Sequence, residues 1–287
     1  NFRSTRTLAE ELIKDGIVAI EGVDTRALTI AIRDAGAMRG GIFPADGLDE
    51  PSKEMLDRVS NSLQMKGLSL SDQVTTDSSY TLPAIGESFA RVAVLDLGVK
   101  KATLDNLRQR GLELVVMPSD STAEEIRAQQ VDALFYSNGP GDPEASQKQV
   151  ETLQQLLKDG LPFFGICFGN QLLGRALGFE TYKLQFGHRG INQPVFNSES
   201  GRVEVTAHNH GFAVKLEQDE AASPAGFGNV EVRHRSLNDG VVEGLKCLDI
   251  DAFSVQYHPE AAAGPHDSHY LFDEFIEMIR SNLAKKK

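Results

Sequence analysis

The stretch LPFFGICFGNQLLGRALG, residues 161–178, decides the fold of this chain. Its opening residues form a short apolar run that is typical of a buried strand, and its second half has the apolar spacing of a helix that stops at Gly178. Between the two, the pentapeptide GICFG at residues 165–169 predicts a sharp turn whose small flanking residues leave the side chain of Cys167 exposed. A strand, a turn that carries a cysteine and a helix together indicate a nucleophile elbow.

The same turn gives Cys167 the surroundings of a reactive thiol. A helix that begins directly after it presents its positive dipole end to the sulfur, which favours the thiolate. The backbone N–H of Phe168 is then free to stabilise an oxyanion. These five residues are equally compatible with a small buried cysteine in a glycine-rich turn, so both interpretations stay open on this stretch alone.

Upstream of the elbow, apolar strands alternate with amphipathic helices. This alternation predicts βαβ units with right-handed crossovers, and therefore an α/β fold with a mostly parallel sheet flanked by helices. Ligands of such sheets gather at the carboxyl ends of the strands, where Cys167 falls. We predict strands at residues 92–95, 112–117 and 133–136, a further strand before Cys167, and helices at residues 100–110, 146–158 and after the cap Thr122.

The pattern changes on both sides of this region. After Gly178 it consists of shorter strands with Gly and Asn turns, followed by a final helix at residues 270–283. Before the sheet, we predict a strand at residues 17–20, a helix at 26–35 and a polar linker that ends near residue 88. The chain is therefore divided into residues 1–88, a smaller N-terminal part with a linker, and residues 89–287, the α/β domain.

Composition and charge exclude several classes of protein. The 287 residues are 40% hydrophobic and 24% charged, and their net charge of −12 argues against a surface for nucleic acid or an anionic membrane. The two cysteines form no disulfide framework, and no spacing indicates a zinc site. No apolar stretch is long enough to span a bilayer and no charged-then-apolar leader opens the sequence, so we expect a cytoplasmic location.

A thiolate nucleophile needs a base and a group that orients the base. Of the seven histidines, His258 stands out because it follows the apolar run at residues 253–257 and begins the tripeptide HPE. On an extended segment, residues two apart point the same way, so the Glu260 carboxylate would reach the His258 imidazole. Taken alone, the tripeptide fits a solvated strand end better than a triad. His234 and His269 are expected at the surface.

Three motifs taken together, in the order NGPGDP (138–143), GICFGNQ (165–171) and HPE (258–260), resemble the class I (triad) glutamine amidotransferases. Further segments resemble the small, glutamine-hydrolysing subunit of carbamoyl-phosphate synthases. These segments are GVDTRALT at residues 22–29, GAMRG at 36–40, FGHRGIN at 186–192, NHGF at 209–212 and GPHD at 264–267. The resemblance covers nearly the whole chain. It implies an amidotransferase domain at residues 89–287, preceded at residues 1–88 by the C-terminal part of the small subunit's N-terminal domain and a linker.

The resemblance implies a glutaminase. Cys167 would attack the carboxamide carbon of glutamine, His258 would take the thiol proton and give it to the departing ammonia, and Glu260 would orient His258. The backbone N–H groups of Gly139 and Phe168 would hold the oxyanion. The glutamine pocket carried over from the family comprises Gly139, Gly141, Phe168, Gln171, Asn209, Gly211 and Phe212.

The resemblance also implies a partner. Ammonia would pass to a separate large subunit in a heterodimer, which makes carbamoyl phosphate from bicarbonate and ATP for arginine and pyrimidine biosynthesis. This chain has no phosphate-cradling motif, so ATP and a divalent metal ion are expected only on the large subunit, with no cofactor or metal in this chain. Family members carry further residues ahead of the segment that matches Asn1, among them a serine that contacts glutamine. No role is assigned to His188, His208, His210 and His266.

Other functions stay open on the sequence. A cysteine peptidase of related α/β layout, or a glutaminase of the anthranilate synthase or GMP synthase type, would share the elbow and a histidine. A peptidase would need neither the loop at residues 138–143 nor the HPE tripeptide. A catalytically silent interaction subunit would lack a reacting group, whereas Cys167, His258 and Glu260 are all present.

Overall fold

The computed structural model describes residues 4–44, 47, 50–261 and 264–286. Its contacts divide the chain into two compact units, Asn1–Gln64 and Met65–Lys287. This division lies within the polar linker that the sequence analysis predicts to end near residue 88. Residues after 64 belong with the second unit because they contribute to its sheet and its loops. Tyr80–Leu82, for example, pairs antiparallel with Leu112–Met117.

The first unit contains three helices among its described residues: α1 (Leu8–Lys14), α2 (Thr25–Ala35) and α3 (Lys53–Ser60). Their starts follow from their caps. Thr7 and Glu10 form a capping box at α1, and the Asp24 carboxylate accepts a hydrogen bond of 2.9 Å from the N–H of Ala27 at α2. The strand predicted at residues 17–20 is wrong, because these residues are exposed and pair with no described strand.

The described residues of the second unit form one 11-stranded sheet. Its strands are β1 (Tyr80–Leu82), β2 (Ala90–Leu95), β3 (Leu112–Met117), β4 (Ala133–Tyr136), β5 (Phe163–Ile166), β6 (Thr181–Asn197), β7 (Arg202–Val214), β8 (Glu220–Ala222), β9 (Asn229–Ser236), β10 (Val242–Cys247) and β11 (Ala252–Val255). The order β3-β2-β4-β5-β11 is parallel, and β1 and β6 to β10 are joined to it by antiparallel pairing. The predicted α/β fold with a mostly parallel core sheet and an added set of strands is confirmed.

Helices cover both faces of the parallel strands. These helices are α4 (Lys101–Gln109), α5 (Ala123–Ala128), α6 (Gln147–Lys158), α7 (Phe168–Ala176) and α8 (Tyr270–Lys285). Apolar residues of α5, α6 and α7 share one core cluster, and those of α4 and α8 share the cluster on the other face. Strands that are buried on both faces need continuous apolar runs, and that is why β2, β3 and β4 were recognisable from the sequence. No helix among the described residues is long and apolar enough to cross a bilayer.

The region after Gly178 differs in part from its prediction. Strands β6 and β7 are 17 and 13 residues long, so the strands here are not uniformly short. Their pairing is interrupted by register shifts between Lys183 and His188 and between Gly190 and Gln193. Bulges of this kind interrupt the alternation of apolar and polar residues, which hides a long strand from pattern analysis. The expectation that His234 lies at the surface is wrong, since it is 1% exposed on β9.

Candidate active site

The elbow predicted from the sequence is present between β5 and α7. Cys167 has φ 55° and ψ −96°, a backbone conformation that residues with a side chain rarely adopt. The flanking glycines are required by close backbone approach. A Cβ atom on Gly165 would lie 2.7 Å from the backbone of Gly169, and one on Gly169 would lie 2.3 Å from the carbonyl oxygen of Tyr136. The chain can turn this sharply only because both positions lack a side chain.

The parallel pairing of β5 with β11 brings the histidine motif to the elbow. Val255 is in register with Ile166, and the N–H of Cys167 donates a hydrogen bond of 2.8 Å to the carbonyl oxygen of Val255. The chain therefore leaves β11 beside the sulfur, and three residues further on it reaches His258. This is the carboxyl edge of the parallel sheet, as the strand pattern predicted.

His258 and Glu260 form the predicted pair. The His258 Nδ1 atom lies 2.8 Å from Oε1 of Glu260, and both residues are buried. The backbone differs from the expectation of an extended segment. The N–H of Ala261 donates to the carbonyl oxygen of His258, so the tripeptide is a turn, and it is the turn that folds the carboxylate against the ring.

Charge distribution at the triad favours an ion pair. Burial alone would lower the pKa of His258, but the charge and hydrogen bonding of Cys167, followed by those of Glu260, raise the pKa to about 9. Burial would raise the pKa of Glu260, yet the hydrogen bond and charge of His258 and the charge of Lys100 lower it to about 2. At neutral pH the imidazole is therefore protonated and the carboxylate is ionised.

Lys100 is a member of the site that the sequence analysis missed. Its Nζ atom lies 3.0 Å from Oε1 of Glu260 and 3.1 Å from Nδ1 of His258. It stands just before α4, at the carboxyl end of β2, which is the sheet edge where the triad also lies. The strand pattern places the segment after β2 at this edge of the sheet. However, nothing in the sequence distinguishes Lys100 from its neighbour Lys101.

A buried amide network behind the sulfur was also missed. The Gln256 side-chain amide nitrogen lies 3.7 Å from the Cys167 sulfur, and its oxygen accepts hydrogen bonds from Asn170 at 3.1 Å and Gln171 at 3.2 Å. Ser254 donates to the other end of the Asn170 side chain at 2.8 Å. Because these side chains are hydrogen-bonded to one another, the network ties the start of α7 to the end of β11.

Two backbone N–H groups are free to bind an oxyanion. Within the described residues, no acceptor pairs with the amide of Phe168 or of Gly139. The loop that carries Gly139 is held by Asn138, whose side chain donates to the carbonyl oxygen of Gly98 at 2.9 Å. A Cβ atom on Gly139 would lie 2.0 Å from the carbonyl oxygen of Leu97, so only glycine fits there.

The predicted pocket residues occupy three elements. Gly139 and Gly141 lie in the loop after β4, Phe168 and Gln171 lie on α7, and Asn209, Gly211 and Phe212 lie on β7. The Gln171 side chain donates to the carbonyl oxygen of Phe212 at 3.1 Å, and the N–H of His258 donates to the carbonyl oxygen of Ala207 at 2.8 Å. These bonds tie β7 to the site on either side of Asn209 and Gly211. No described hydrogen bond joins those two residues to the triad.

One group of described residues has the composition of a metal site. His188, His208, His210 and Glu243 each offer a ligand atom, and these atoms all lie within 4.8 Å of one another. Pattern analysis did not indicate such a group because its members come from β6, β7 and β10, which are separated along the chain and meet only in the folded sheet.

Comparisons with known proteins agree with this geometry. The family model "Glutamine amidotransferase class-I" matches residues 93–278, and the model "Carbamoyl-phosphate synthase small chain, CPSase domain" matches residues 1–42. A carbamoyl phosphate synthase small chain of Streptomyces coelicolor is 52% identical over 99% of this chain and 74% of its own length. That of Bifidobacterium longum is 51% identical over 100% and 74%.

A solved structure shares the fold at low identity. It is a putative GMP synthase component from Thermoplasma acidophilum, 18% identical, with a TM-score of 0.56 over 70% of this chain and 100% of that one. At that identity the likeness shows the fold alone.

Proposed function

Because this chain belongs to the carbamoyl phosphate synthase small chains, within the class I glutamine amidotransferases, we propose that Cys167 is the nucleophile with which this glutaminase subunit hydrolyses L-glutamine. The observation that carries the proposal is the convergence of a strained cysteine elbow with a buried His258–Glu260 pair at one sheet edge. A small packing cysteine would need neither the strain nor the base.

The first half of the reaction forms a thioester. The Cys167 thiolate adds to the carboxamide carbon of glutamine, and the N–H groups of Phe168 and Gly139 hold the negative charge that develops on the oxygen. Protonated His258 then gives its proton to the leaving nitrogen. The C–N bond breaks, ammonia departs and the acyl group stays on the sulfur.

The second half releases glutamate. Neutral His258 takes a proton from water, the resulting hydroxide adds to the thioester carbon, and the C–S bond breaks to restore the thiolate beside an imidazolium. Glu260 keeps the His258 ring oriented throughout, since its carboxylate accepts from Nδ1 and leaves Nε2 for the reacting groups. Lys100 supports this orientation by balancing the charge of Glu260.

The proposed glutamine pocket consists of residues from the loop after β4, from α7 and from β7. The Gln171 side chain donates a hydrogen bond to the carbonyl oxygen of Phe212, and the amides of Gly139 and Phe168 have no acceptor among the described residues. Asn209 is exposed on β7 between two anchored positions, which suits a residue that contacts substrate. The full proposed set is Gly139, Gly141, Phe168, Gln171, Asn209, Gly211 and Phe212.

The ammonia is consumed by a second protein. The relatives are named small chains, which supports a heterodimer with a large subunit that makes carbamoyl phosphate from bicarbonate and ATP. ATP and its divalent metal ion would bind there, because the sequence of this chain has no phosphate-cradling motif. The product serves arginine and pyrimidine biosynthesis. A reactive thiol also favours the reducing cytoplasm.

The decisive experiment compares two cysteine variants. Cys167→Ser should abolish glutamine hydrolysis, with and without the large subunit, and should remove labelling by a glutamine analogue that traps the thiol. Cys247→Ser is the matched control, since Cys247 is the other buried free cysteine and lies at the end of β10, outside the elbow. Retained turnover in Cys167→Ser, or cleavage of peptides in preference to glutamine by the native chain, would refute the assignment.

A further inference from the structure

Three histidines and a glutamate, none of which has a role in the proposed reaction, meet on the sheet beside the proposed glutamine pocket. His188 on β6 pairs across the strands with His210 on β7, and His208 lies two residues before His210 on the same face of β7. Glu243 on β10 lies against all three rings. Three strands therefore contribute side chains to one cluster, which we call the His3Glu cluster.

All ligand atoms of the His3Glu cluster lie within 4.8 Å of one another, and four of the distances between them are close to those between the ligands of one metal ion. Nδ1 of His188 lies 2.9 Å from Oε1 of Glu243, and Nε2 of His210 lies 3.6 Å from the same atom. Nδ1 of His208 lies 3.6 Å from Oε2 of Glu243 and 3.3 Å from Nε2 of His210. Ligands bound tetrahedrally to Zn²⁺ at about 2.0–2.1 Å stand roughly 3.3 Å from one another.

The outer nitrogen of each ring already has a hydrogen-bond partner. His188 Nε2 lies 2.7 Å from the Asp239 carboxylate, and His210 Nδ1 lies 2.9 Å from the carbonyl oxygen of Phe212. Both partners only accept hydrogen bonds, so each of these outer nitrogens carries a proton. Metal-binding histidines are held by outer partners of this kind.

Thr206 fixes the tautomer of His208 in the same way. The Thr206 hydroxyl donates to the carbonyl oxygen of Gln193 at 2.9 Å, which leaves it to accept from His208 Nε2 at 2.7 Å. In their neutral forms, therefore, all three rings turn a lone pair inward. His208 and His210 then place two acceptors 3.3 Å apart beside the Glu243 carboxylate, so a cation bound between these groups would satisfy all of them.

Burial strengthens the requirement for a cation. The side chains of His208, His210 and Glu243 are 0%, 1% and 0% exposed, and that of His188 is 13% exposed. Within the described residues, Oε2 of Glu243 is buried and has no hydrogen-bond partner, although it points at His208. A buried carboxylate oxygen without a partner needs an explanation, and a bound cation at this position would provide one.

We propose that His188, His208, His210 and Glu243 bind one Zn²⁺ ion in a closed four-ligand site. Three imidazoles and one carboxylate suit zinc, whereas Mg²⁺ and Ca²⁺ prefer oxygen ligands alone. Four protein ligands leave no position for a substrate, which is the mark of a structural site. The charges of Glu243 and Asp239 balance those of the ion, which would clamp the long β6–β7 hairpin to β10.

The test measures the metal content and thermal stability of the 287-residue chain. Purified from zinc-containing medium, it should retain about one equivalent of zinc after dialysis, and a strong chelator should lower its Tm. Replacement by Co²⁺ should give the intense visible absorption of a tetrahedral nitrogen and oxygen site. Both results are independent of glutamine hydrolysis.

Single substitutions distinguish zinc bound at the His3Glu cluster from zinc bound elsewhere on the protein. His208→Gln and Glu243→Gln should each lower zinc content at least tenfold and make the Tm insensitive to chelator. His266→Gln is the matched control, because His266 pairs with His269 at an exposed position outside the cluster. The proposal is overturned if the folded native chain holds no stoichiometric zinc and its Tm does not respond to added Zn²⁺, or if His208→Gln keeps a full equivalent. The native-chain measurement decides the matter even if a variant does not fold.

Discussion

Nδ1 of His258 lies 2.8 Å from Oε1 of Glu260, with a single proline between the two residues. The turn that brings them together is short, buried and hydrogen-bonded from Ala261 back to His258. Such a turn leaves the carboxylate few other positions, so the orientation of the imidazole is built into three consecutive residues. This orientation should affect the rate of glutamine hydrolysis and the pH dependence of both the rate and the stability.

Glu260→Gln should impair catalysis and shift its pH dependence. The amide keeps the shape but removes an anion that helps to raise the pKa of His258 to about 9, so the pKa of that ring should fall. We expect kcat/KM to drop by about 100-fold and its alkaline limb to move to lower pH. Steady-state glutaminase assays between pH 6 and 10 test this, with Glu113→Gln as a control carboxylate away from the triad. An unchanged alkaline limb would contradict the role given to Glu260.

The His258–Glu260 pair should also make the free energy of unfolding depend on pH. The folded pKa of His258 is raised to about 9 from 6.5, so its contribution is complete below pH 6.5 and disappears as the pH rises to 9. The pKa of Glu260 is lowered to about 2 from 4.5, so its contribution is present above pH 4.5 and is lost as the pH falls to 2. The gap in unfolding free energy between the native chain and Glu260→Gln should therefore be larger at pH 5.5 than at pH 9.5. Urea titrations at the two values measure it, and equal gaps would speak against the ion pair.

Lys100→Met should have a smaller effect than Glu260→Gln. The Lys100 side chain is 48% exposed, so solvent screens its attraction to Glu260 even at 3.0 Å. Removing the cation should raise the pKa of Glu260 and lower kcat/KM by less than about tenfold. Lys101→Met is the matched control, because Lys101 is the next residue and pairs with Asp105 instead. If the two variants behave alike, Lys100 does not belong to the site.

The elements that the sequence predicted are those whose signal is local. Continuous apolar runs marked β2, β3 and β4, and the capping box of Thr122 marked α5, each within a residue or two of where the structure has them. The elbow is also local, because its glycines and its cysteine are neighbours. The HPE motif was found in spite of a wrong backbone expectation, since a turn and an extended segment both bring residues two apart together.

The site residues that sequence analysis missed are those whose position depends on contacts between distant segments of the chain. Lys100 and Gln256 reach the triad only through the order of the parallel strands, and neither differs in type from residues nearby. The His3Glu cluster requires the pairing of β6 with β7 and the approach of β10, which pattern analysis cannot supply. The prediction of a strand at residues 17–20 was wrong because it used the local pattern alone. An apolar run forms a strand only where it can pair with another strand, and these residues pair with no described strand.

Backbone strain at the nucleophile can be measured by comparing Cys167→Ala with Cys167→Gly. Both variants lack the sulfur and should be inactive. Glycine adopts φ 55° without the steric cost that alanine meets, so Cys167→Gly should be more stable than Cys167→Ala by about 1 kcal/mol or more. This is the reverse of the order expected at an ordinary buried position, where the larger side chain stabilises. Chemical denaturation of the two variants gives the difference, and the ordinary order would show that the elbow is unstrained.

Gly169→Ala should damage the elbow without removing any reacting group. The new methyl would lie 2.3 Å from the carbonyl oxygen and 3.0 Å from the carbonyl carbon of Tyr136, and both are backbone atoms of β4 that cannot swing aside. Either α7 or β4 must therefore shift, at a cost of about 1–3 kcal/mol in unfolding free energy. A displacement of α7 moves the amide of Phe168 away from the reacting oxygen, so kcat should fall by about 100-fold or more. Gly264→Ala is the control, because its methyl would meet Ile191 at an ordinary 3.4 Å. Native stability and turnover in Gly169→Ala would mean that close approach of α7 to β4 is not what positions the oxyanion site.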